Sequence, residues 1–567
     1  MAPDRYSAPG SIGQEFHAGD DHRLQNNYAV LWLNAFRARH GRPPRILHLG
    51  NIANNAYVNA KMLNDLGYDC DVLCNDYYHI MGAPEWEDVD FQFGPPDHNL
   101  PDWSEIDLGG YQRPRWFAQG PLPLCVAYLL ARRHGETTRA DRLWSMMQAA
   151  NRTVHAALPL RMARLLRARL ASYDGRPLVD TARQMAIRLV GAGLDPPSRA
   201  LRYLLAPLAL VAAAGLLSAA RLSNWPNYGK IRASWDASTF DAITRDYPDV
   251  AWHGIKPYLD AVLPYFTKLF GHYDIVHAYA TAPIMPLLVG KRPYVAYEHG
   301  TIREIPFEPN PIGRLTFEAY RRADMVILTN ADALESLPRV RDMNRPYLRA
   351  LHGFDERTIQ RRLAVALAKP GRRPRFGVDP AQPLFFSPSR HDWAVKGNDV
   401  MLRAMALVHA RGAAPKLVLV RWGQEIDRSE RLIVELGIAD HVKWAEPLGK
   451  FELLAAFHDA DAVVDQFILP HLGAISVEVM SIGRAALIIS VDQDLMERFY
   501  GAHVPLYSAR TAEEVAAAMV SVIADRKTAR ATAAAARDWV LSHHSHEQVL
   551  NYLGRAYAGA AHESSPA

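Results

Sequence analysis

The sequence predicts an α/β protein of two Rossmann-like, doubly wound parallel-sheet domains that face one another across a cleft, with a helical insertion in the N-terminal domain. Three observations carry this reading. Short apolar runs bounded by turn residues alternate with helical patterns in two separate series. A Pro-, Gly- and Arg-rich stretch, AKPGRRPRFGVDPAQ (368–382), divides the two series. Finally, 567 residues exceed what one core holds, since domains cluster near ~100–200 residues.

The first series opens after an N-terminal extension (1–40) with a helical pattern over 24–39. RILHLG (45–50) reads as a buried strand, GNIANNAYVNAKMLNDLG as a loop and helix ending at Gly67, and DCDVLC (69–74) as a second strand, a βαβ opening. DIVHAY (274–279), YVAYEHG (294–300) and MVILTN (325–330) continue the same parallel sheet, giving a first domain over 41–360. A helical insertion, about 110–235, interrupts it. From 142 to 173 the insertion carries six arginines and no acidic residue, with Arg161, Arg164 and Arg167 at helical spacing. YLLAPLALVAAAGLLSAA (203–220) follows, eighteen uncharged residues that just reach the length of a membrane span. Strands on both sides of the insertion belong to one sheet, which argues against a single crossing. Three readings stand: a packing helix, a helix lying in the membrane interface, and a re-entrant or spanning segment.

The second series predicts strands at 384–387, 417–421, 442–445, 462–467 and 486–490, and so a second domain over 361–542. A C-terminal helix, 543–567, returns to the first domain. Ligands of such sheets bind beyond the carboxyl ends of the strands.

The composition, 49% hydrophobic and 22% charged with a formal charge of +4, does not suggest a nucleic-acid binder. Cys70, Cys74 and Cys125 are too few for a disulfide framework, which points to a reducing compartment. The opening MAPDRYSAPGSIGQEF has neither the basic nor the apolar region of a secretory signal. The expectation is a cytoplasmic protein, peripheral on the inner face of a membrane if the insertion attaches there.

SRHDWAVKGND (389–399) joins an apolar strand to a helical pattern. Such a loop gathers unpaired amides and the positive end of a helix dipole. Arg390, a planar fork, and Lys396, a flexible point charge, suit a diphosphate, and Gly397 lets the backbone come close. A solvated basic loop with a capping glycine has the same residues. GAISVEVMSIGRAALI (473–488) puts Glu478 in the first turns of a helix after AVVDQF, where a carboxylate could hold a ribose diol or simply face solvent.

SPSRHDWAVKGND, RWGQEIDRSERLIVELGI, VKWAEPLGKFELLAAFHDADAVVDQF and GAISVEVMSIGRAALI, in this order and spacing, resemble the nucleotide-binding domain of GT-B-type retaining glycosyltransferases of family 4. RILHLGNIANN and YEHGTIREIPF look like that group's acceptor-side loops, containing Gly50, Asn51, Asn54, Asn55, Glu298, Gly300 and Arg303. The resemblance covers about 45–90 and 274–558. It implies that Arg390 and Lys396 hold the donor diphosphate, and that Glu478 grips the ribose as the second glutamate of a Glu-x7-Glu motif. It also implies that Gly473, Ala474 and Ile475 bring amides to the phosphates, that Gly423 ends a strand beside the site, that Pro447 and Leu448 lie near the base, and that His299 meets the donor sugar. The asparagines 51, 54 and 55 could bind hydroxyls or stabilise a turn.

One departure stands out. Pro470 occupies the position of the first motif glutamate, which usually contacts donor-sugar hydroxyls. Asp465, Gln466 and His471 are the nearest polar substitutes, and the DQ pair resembles a bacterial subgroup of these enzymes. The implied activity is sugar transfer from a nucleotide-diphosphate donor to a glycan or lipid-linked hydroxyl acceptor, with retention, no tightly bound cofactor and no protein metal. An epimerase or hydrolase on the same architecture, and a non-catalytic nucleotide-sugar-binding relative, are the alternatives. The Asp-x-Asp triplets are scattered, HHSH (543–546) reads as a helix cap at Ser545, and neither GxGxxG nor a P-loop follows the first strand.

Overall fold

The computed structural model describes residues 26–75, 77–91, 98, 101–156, 235–350, 352–369 and 374–563. Segment 203–220 and most of the basic run before it lie outside the described residues. Among those residues, no helix is long and apolar enough to cross a membrane.

The first sheet has seven strands: β1 (Arg45–Leu49), β2 (Asp69–Asn75), β3 (Phe117–Gly120), β4 (Ile275–Tyr279), β5 (Tyr294–Tyr297), β6 (Met325–Leu328) and β7 (Tyr347–Arg349), in the order β3-β2-β1-β4-β5-β6-β7. The second has six: β8 (Leu384–Ser387), β9 (Lys416–Val420), β10 (Val442–Ala445), β11 (Ala462–Val464), β12 (Ala486–Ile489) and β13 (Tyr507–Ser508), in the order β10-β9-β8-β11-β12-β13. Every pairing is parallel. This is the GT-B arrangement of two Rossmann-like domains.

The strands are apolar because both faces are covered. In β1, Ile46 packs with helices Tyr28–His40, Asn55–Leu66 and His546–Glu563, whereas Leu47 and Leu49 pack with helices Leu122–Arg133 and Lys256–Phe270 on the opposite face. The C-terminal helix therefore lies on the first domain, where Tyr557 meets His277 of β4 at 2.9 Å. Local signals set the helix ends: Asn27 accepts from the amide of Ala29, and Gly41 closes that helix in the left-handed region.

The expectation of a wholly helical segment from about residue 110 is corrected. FAQG forms β3, paired with β2 through Val72 and Phe117, so the chain is still completing the sheet there. Four residues with no β-branched side chain give too little periodicity to distinguish a strand from helix. Strands β7 and β13, of three and two residues, are short edges overlooked for the same reason.

Two histidines face each other inside the first domain. His48 of β1 and His277 of β4 are in register, fully buried, with ring centroids 5.0 Å apart; each meets a tyrosine hydroxyl through Nδ1 and has no partner at Nε2. Burial pushes the pKa of His48 down to about 3 and that of His277 well below the ordinary value. The unfolded chain protonates these rings near pH ~6.5 while the folded chain does not, so the unfolded state binds more protons below that pH. Stability is thus fully present above pH ~6.5 and falls as acid is added, by about 1.4 kcal/mol per pH unit for each such histidine. Urea unfolding between pH 7.5 and 5 should show this slope. His48→Gln, which cannot titrate, should remove one histidine's share of it; an unchanged slope would contradict the assignment.

Candidate functional site

In the second sheet, β8 and β11 are neighbours, and connections leave them in opposite directions along the sheet. A crevice opens at such a switch point. The segments leaving the two strands are tied together across it. The Ser389 hydroxyl bonds to the Asp465 carbonyl at 2.9 Å and to the Asp465 carboxylate, and Lys396 Nζ donates to Gln466 Oε1 at 2.9 Å. A cavity of about 280 Å³ lies here between the two domains.

Of the residues singled out in the sequence, Arg390, Lys396, Asp465, Gly473, Ala474, Ile475, Glu478, Pro447, Leu448 and Asn55 line this cavity. Gly50, Asn51, Asn54, Glu298, His299, Gly300, Arg303, Gly423, Gln466 and His471 are not on its wall.

The loop after β8 is fixed by Trp422, whose indole donates to Pro388 O at 2.8 Å, and by Asn398, whose side chain accepts from the amide of Asp392 at 2.9 Å. Arg390 is half-exposed and pairs with Asp392 at 3.0 Å. Exposed pairs of this kind are worth only about 0–1 kcal/mol, so Asp392 holds the guanidinium weakly. Lys396 is more enclosed and its closest partner is a neutral amide; Asp465 Oδ1 lies 3.8 Å away. Gly397 serves the turn and does not line the cavity, which corrects the reading that it admits a phosphate. Its φ is +68°, it separates helix Trp393–Lys396 from helix Asn398–Ala410, and a Cβ there would stand 3.2 Å from Phe467. Gly423 (φ +110°) is likewise required for close packing, since a Cβ would collide with the backbone nitrogen of His391.

Opposite this loop, helix Ala474–Ile482 presents its N-terminus to the cavity. The first-turn amides of a helix have no intrahelical acceptor and favour an anion. One turn further in, the Glu478 carboxylate is buried and holds the ammonium of Lys450 through Oε1. Lys450 is also 3.7 Å from Glu87, which accepts from Arg362 at 2.8 Å. Burial opposes charge on Lys450, but Glu478 and Glu87 outweigh it and raise its pKa. Glu87 is the mirror case: burial favours the neutral acid, and Lys450 with Arg362 reverses that and lowers its pKa. Sequence reasoning missed Glu87, Arg362 and Lys450, because each sits on a helix where a charged residue ordinarily faces water.

On the first domain, the asparagines form the turn after β1. Asn51 donates to Asn54 and to Gly82 O, both at 2.8 Å, and accepts from the amide of Tyr57; Asn54 donates to Ala83 O at 2.9 Å. Asn55 accepts from the amide of Gly353 at 2.7 Å. Ala53 and Asn54 have positive φ (49° and 55°), a conformation these hydrogen bonds enforce. Gly50 donates to Leu73 O at 2.9 Å and faces Tyr279. Glu298 is inside the domain, accepting from Asn330 at 3.0 Å, and burial raises its pKa. Arg303 is bidentate to Asp332 and reaches across to His471 Nε2 at 2.8 Å; Gly300 leaves room for its guanidinium. Because Arg303 has only protons to offer, His471 accepts at Nε2 and carries its proton on Nδ1, beside Leu472 O at 3.0 Å. His299 stands behind His352, ring centroids 4.9 Å apart, and burial pushes its pKa down to about 4. His352 is on the cavity wall, and so is the buried His544. In HHSH, Ser545 separates two helices and its hydroxyl accepts from the amide of Gln548 at 3.3 Å. Among the described residues, no three His, Cys, Asp or Glu side chains are arranged to hold a metal ion.

Residues 370–539, which include the loop after β8 and the helix bearing Glu478, match the family model described as glycosyl transferases group 1. No curated protein sequence matches the chain. Among solved structures, the chain is similar to sucrose-phosphate synthase from Thermosynechococcus elongatus, with 18% identity over 55% of this chain and 80% of that one and a TM-score of 0.42. It is also similar to HepE of Anabaena in complex with UDP and glucose, with 17% identity over 53% of this chain and 82% of that one and a TM-score of 0.44.

Removing the ammonium of Lys450 leaves Glu478 and Glu87 buried with less compensation. Lys450→Ala should cost about 3–5 kcal/mol in denaturant unfolding, as breaking a buried pair does. Adding Glu478→Gln should recover a measurable part of that loss, the mark of a direct interaction. Additive losses would show that the two groups do not interact.

Proposed function

We propose that this chain is a glycosyltransferase that moves a sugar from a nucleoside-diphosphate donor to a hydroxyl of a glycan or lipid-linked acceptor, with retention at the anomeric carbon. One observation carries the reading. Two cations, a helix N-terminus and a buried carboxylate, supplied by the loop after β8 and by helix Ala474–Ile482, line one cavity at a sheet switch point within the segment matching the glycosyl transferase family model.

On this reading Arg390 leaves Asp392 for the diphosphate, whose paired oxygens match its planar fork, and Lys396 adds a point charge beside it. The first-turn amides of Ala474 and Ile475, with the N-cap Gly473 beside them, complete the anion site. As the bond from anomeric carbon to phosphate oxygen breaks, negative charge grows on the departing diphosphate. These fixed groups stabilise it without rearranging. Lys450 holds Oε1 of Glu478, so the carboxylate meets the ribose hydroxyls through Oε2. Pro447 and Leu448 border the base. His299 acts through His352 as a positioning group for the donor sugar or acceptor. Closure of the domains excludes water that would compete with the acceptor. The nucleotide sugar is a substrate, and the scheme calls on no tightly bound cofactor and no protein metal.

The test uses the full chain in a thermal-shift screen of UDP, GDP, ADP and dTDP and their sugar conjugates. A ligand at 100 times its Kd should add about 2.7 kcal/mol of stability. Arg390→Ala and Lys396→Ala should each lower turnover about 10²–10³-fold while the ligand-free melting temperature stays put. Full turnover in both variants would remove the diphosphate assignment.

A further inference from the structure

We infer that Asp465 receives hydroxyl groups of the sugar carried by the donor, and so does the recognition that Pro470 cannot. This rests on the reading of the cavity as a nucleotide-sugar site. Asp465 follows β11 directly, lines the cavity and is 2% exposed. Its Oδ1 is held by the Ser389 hydroxyl, which fixes the plane of the carboxylate. Its Oδ2 is buried and has no hydrogen-bond partner. A buried carboxylate oxygen without a donor is costly, and such atoms are rare except where something outside the fold completes them.

The missing partner must be a hydrogen-bond donor. Phosphate oxygens only accept, so the diphosphate itself is not that partner. Lys396, the nearest cation, is engaged with Gln466 and lies beside Oδ1, at 3.8 Å. What remains is a neutral donor next to the diphosphate, and the hydroxyls of a sugar ring are that chemistry. The ribose is the other hydroxyl-bearing part of the ligand, and Glu478, on a different wall segment, is placed for it. The two alternative residues near Pro470 are already engaged. Gln466 accepts from Lys396 and donates to His471 O at 2.8 Å, and the His471 ring accepts from Arg303. Asp465 is the one of the three that both lines the cavity and carries an unpartnered acceptor.

A purely structural role, anchoring Ser389 and the loop after β8, makes a different forecast. Asp465→Asn keeps an oxygen for Ser389 and the side-chain shape, but replaces the unpartnered acceptor with an amide donor and removes the charge. Binding is measured by calorimetry on the full chain for UDP and UDP-glucose, GDP and GDP-mannose, and ADP and ADP-glucose, using whichever pair the unsubstituted chain binds. The variant should hold the free diphosphate within about 3-fold of the original, lose 10-fold or more in affinity for the sugar conjugate, and lose turnover in step. A second measurement needs no variant. On the unsubstituted chain, donor analogues lacking single sugar hydroxyls should include one that binds 10-fold or more weakly, and Asp465→Asn should no longer distinguish it. Equal losses for diphosphate and conjugate would mean that Asp465 only supports the loop. No change in either, or no sensitivity to any hydroxyl, would overturn the inference. Failure of the unsubstituted chain to bind any of the six ligands, and equally dTDP and dTDP-glucose, would sink the nucleotide-sugar reading and this inference with it, a result seen before any substitution is made.

Discussion

The site depends on the adjacency of β8 and β11. Two parallel strands whose connections run to opposite sides of a sheet cannot close the space beyond their carboxyl ends, and here the chain leaving β8 is tied to the chain leaving β11 by Ser389 and Lys396. Those contacts do two things at once. They hold the crevice to a fixed width, and they place Lys396 at the cavity with a neutral amide as its closest partner and Asp465 at 3.8 Å. Arg390, on the same loop, is paired only at the surface. The cations thus differ in how they are restrained: Lys396 is placed in advance, and Arg390 is available to move.

A second constraint joins the domains. Glu87 belongs to the first domain, Lys450 and Glu478 to the second, and Arg362 to helix Glu356–Leu367, which packs on the second domain. Four buried charges of alternating sign satisfy one another. Any one of them alone would be expelled or neutralised by desolvation. The network therefore favours one relative placement of the two domains, because separating them breaks the pairs that Glu87 makes with Lys450 and Arg362. It also ties the carboxylate proposed to hold ribose to the geometry of the domain interface, so that domain closure and nucleotide recognition share a residue.

Much of the architecture was legible in the sequence, because parallel-sheet strands buried on both faces are written as apolar runs: LFFS marks β8 to the residue and LVLV marks all of β9 but its first residue. The short edge FAQG was not legible, since its burial comes from neighbours far along the chain. That Arg390, Lys396 and Glu478 would come to one cavity was readable because a strand–loop–helix junction has a local pattern. Lys450 was not: at the start of its helix it has the local appearance of a solvated lysine, and only the topology brings Glu478 and Glu87 to it. Gly397 shows the reverse error, in which a residue with an apparent role toward a ligand is explained by a left-handed turn packed on Phe467. The asparagines after β1 turned out to have their amides engaged by the turn itself, which is what a short loop with two positive φ angles requires.

The charge distribution along the cavity gives it a direction. Lys450 and Arg362 are matched by Glu478 and Glu87, and Lys61 by Asp88 at 2.8 Å, so those cations are largely neutralised where they stand. The more loosely matched positive charge is on Arg390, whose pair with Asp392 is half-exposed, and on Lys396, 3.8 Å from Asp465, at the end formed by the loop after β8. The wall supplied by the first domain has an apolar stretch, Val58, Met62, Ile80 and Trp86, beside the charged Lys61, Glu87 and Asp355. A ligand with a charged and an uncharged end therefore has one favourable orientation: its anion sits against the second domain, and its less polar partner approaches from the first. On the proposed reading that polarity would separate donor from acceptor before any specific hydrogen bond forms, and it follows from which ion pairs the fold holds tightly and which it holds loosely.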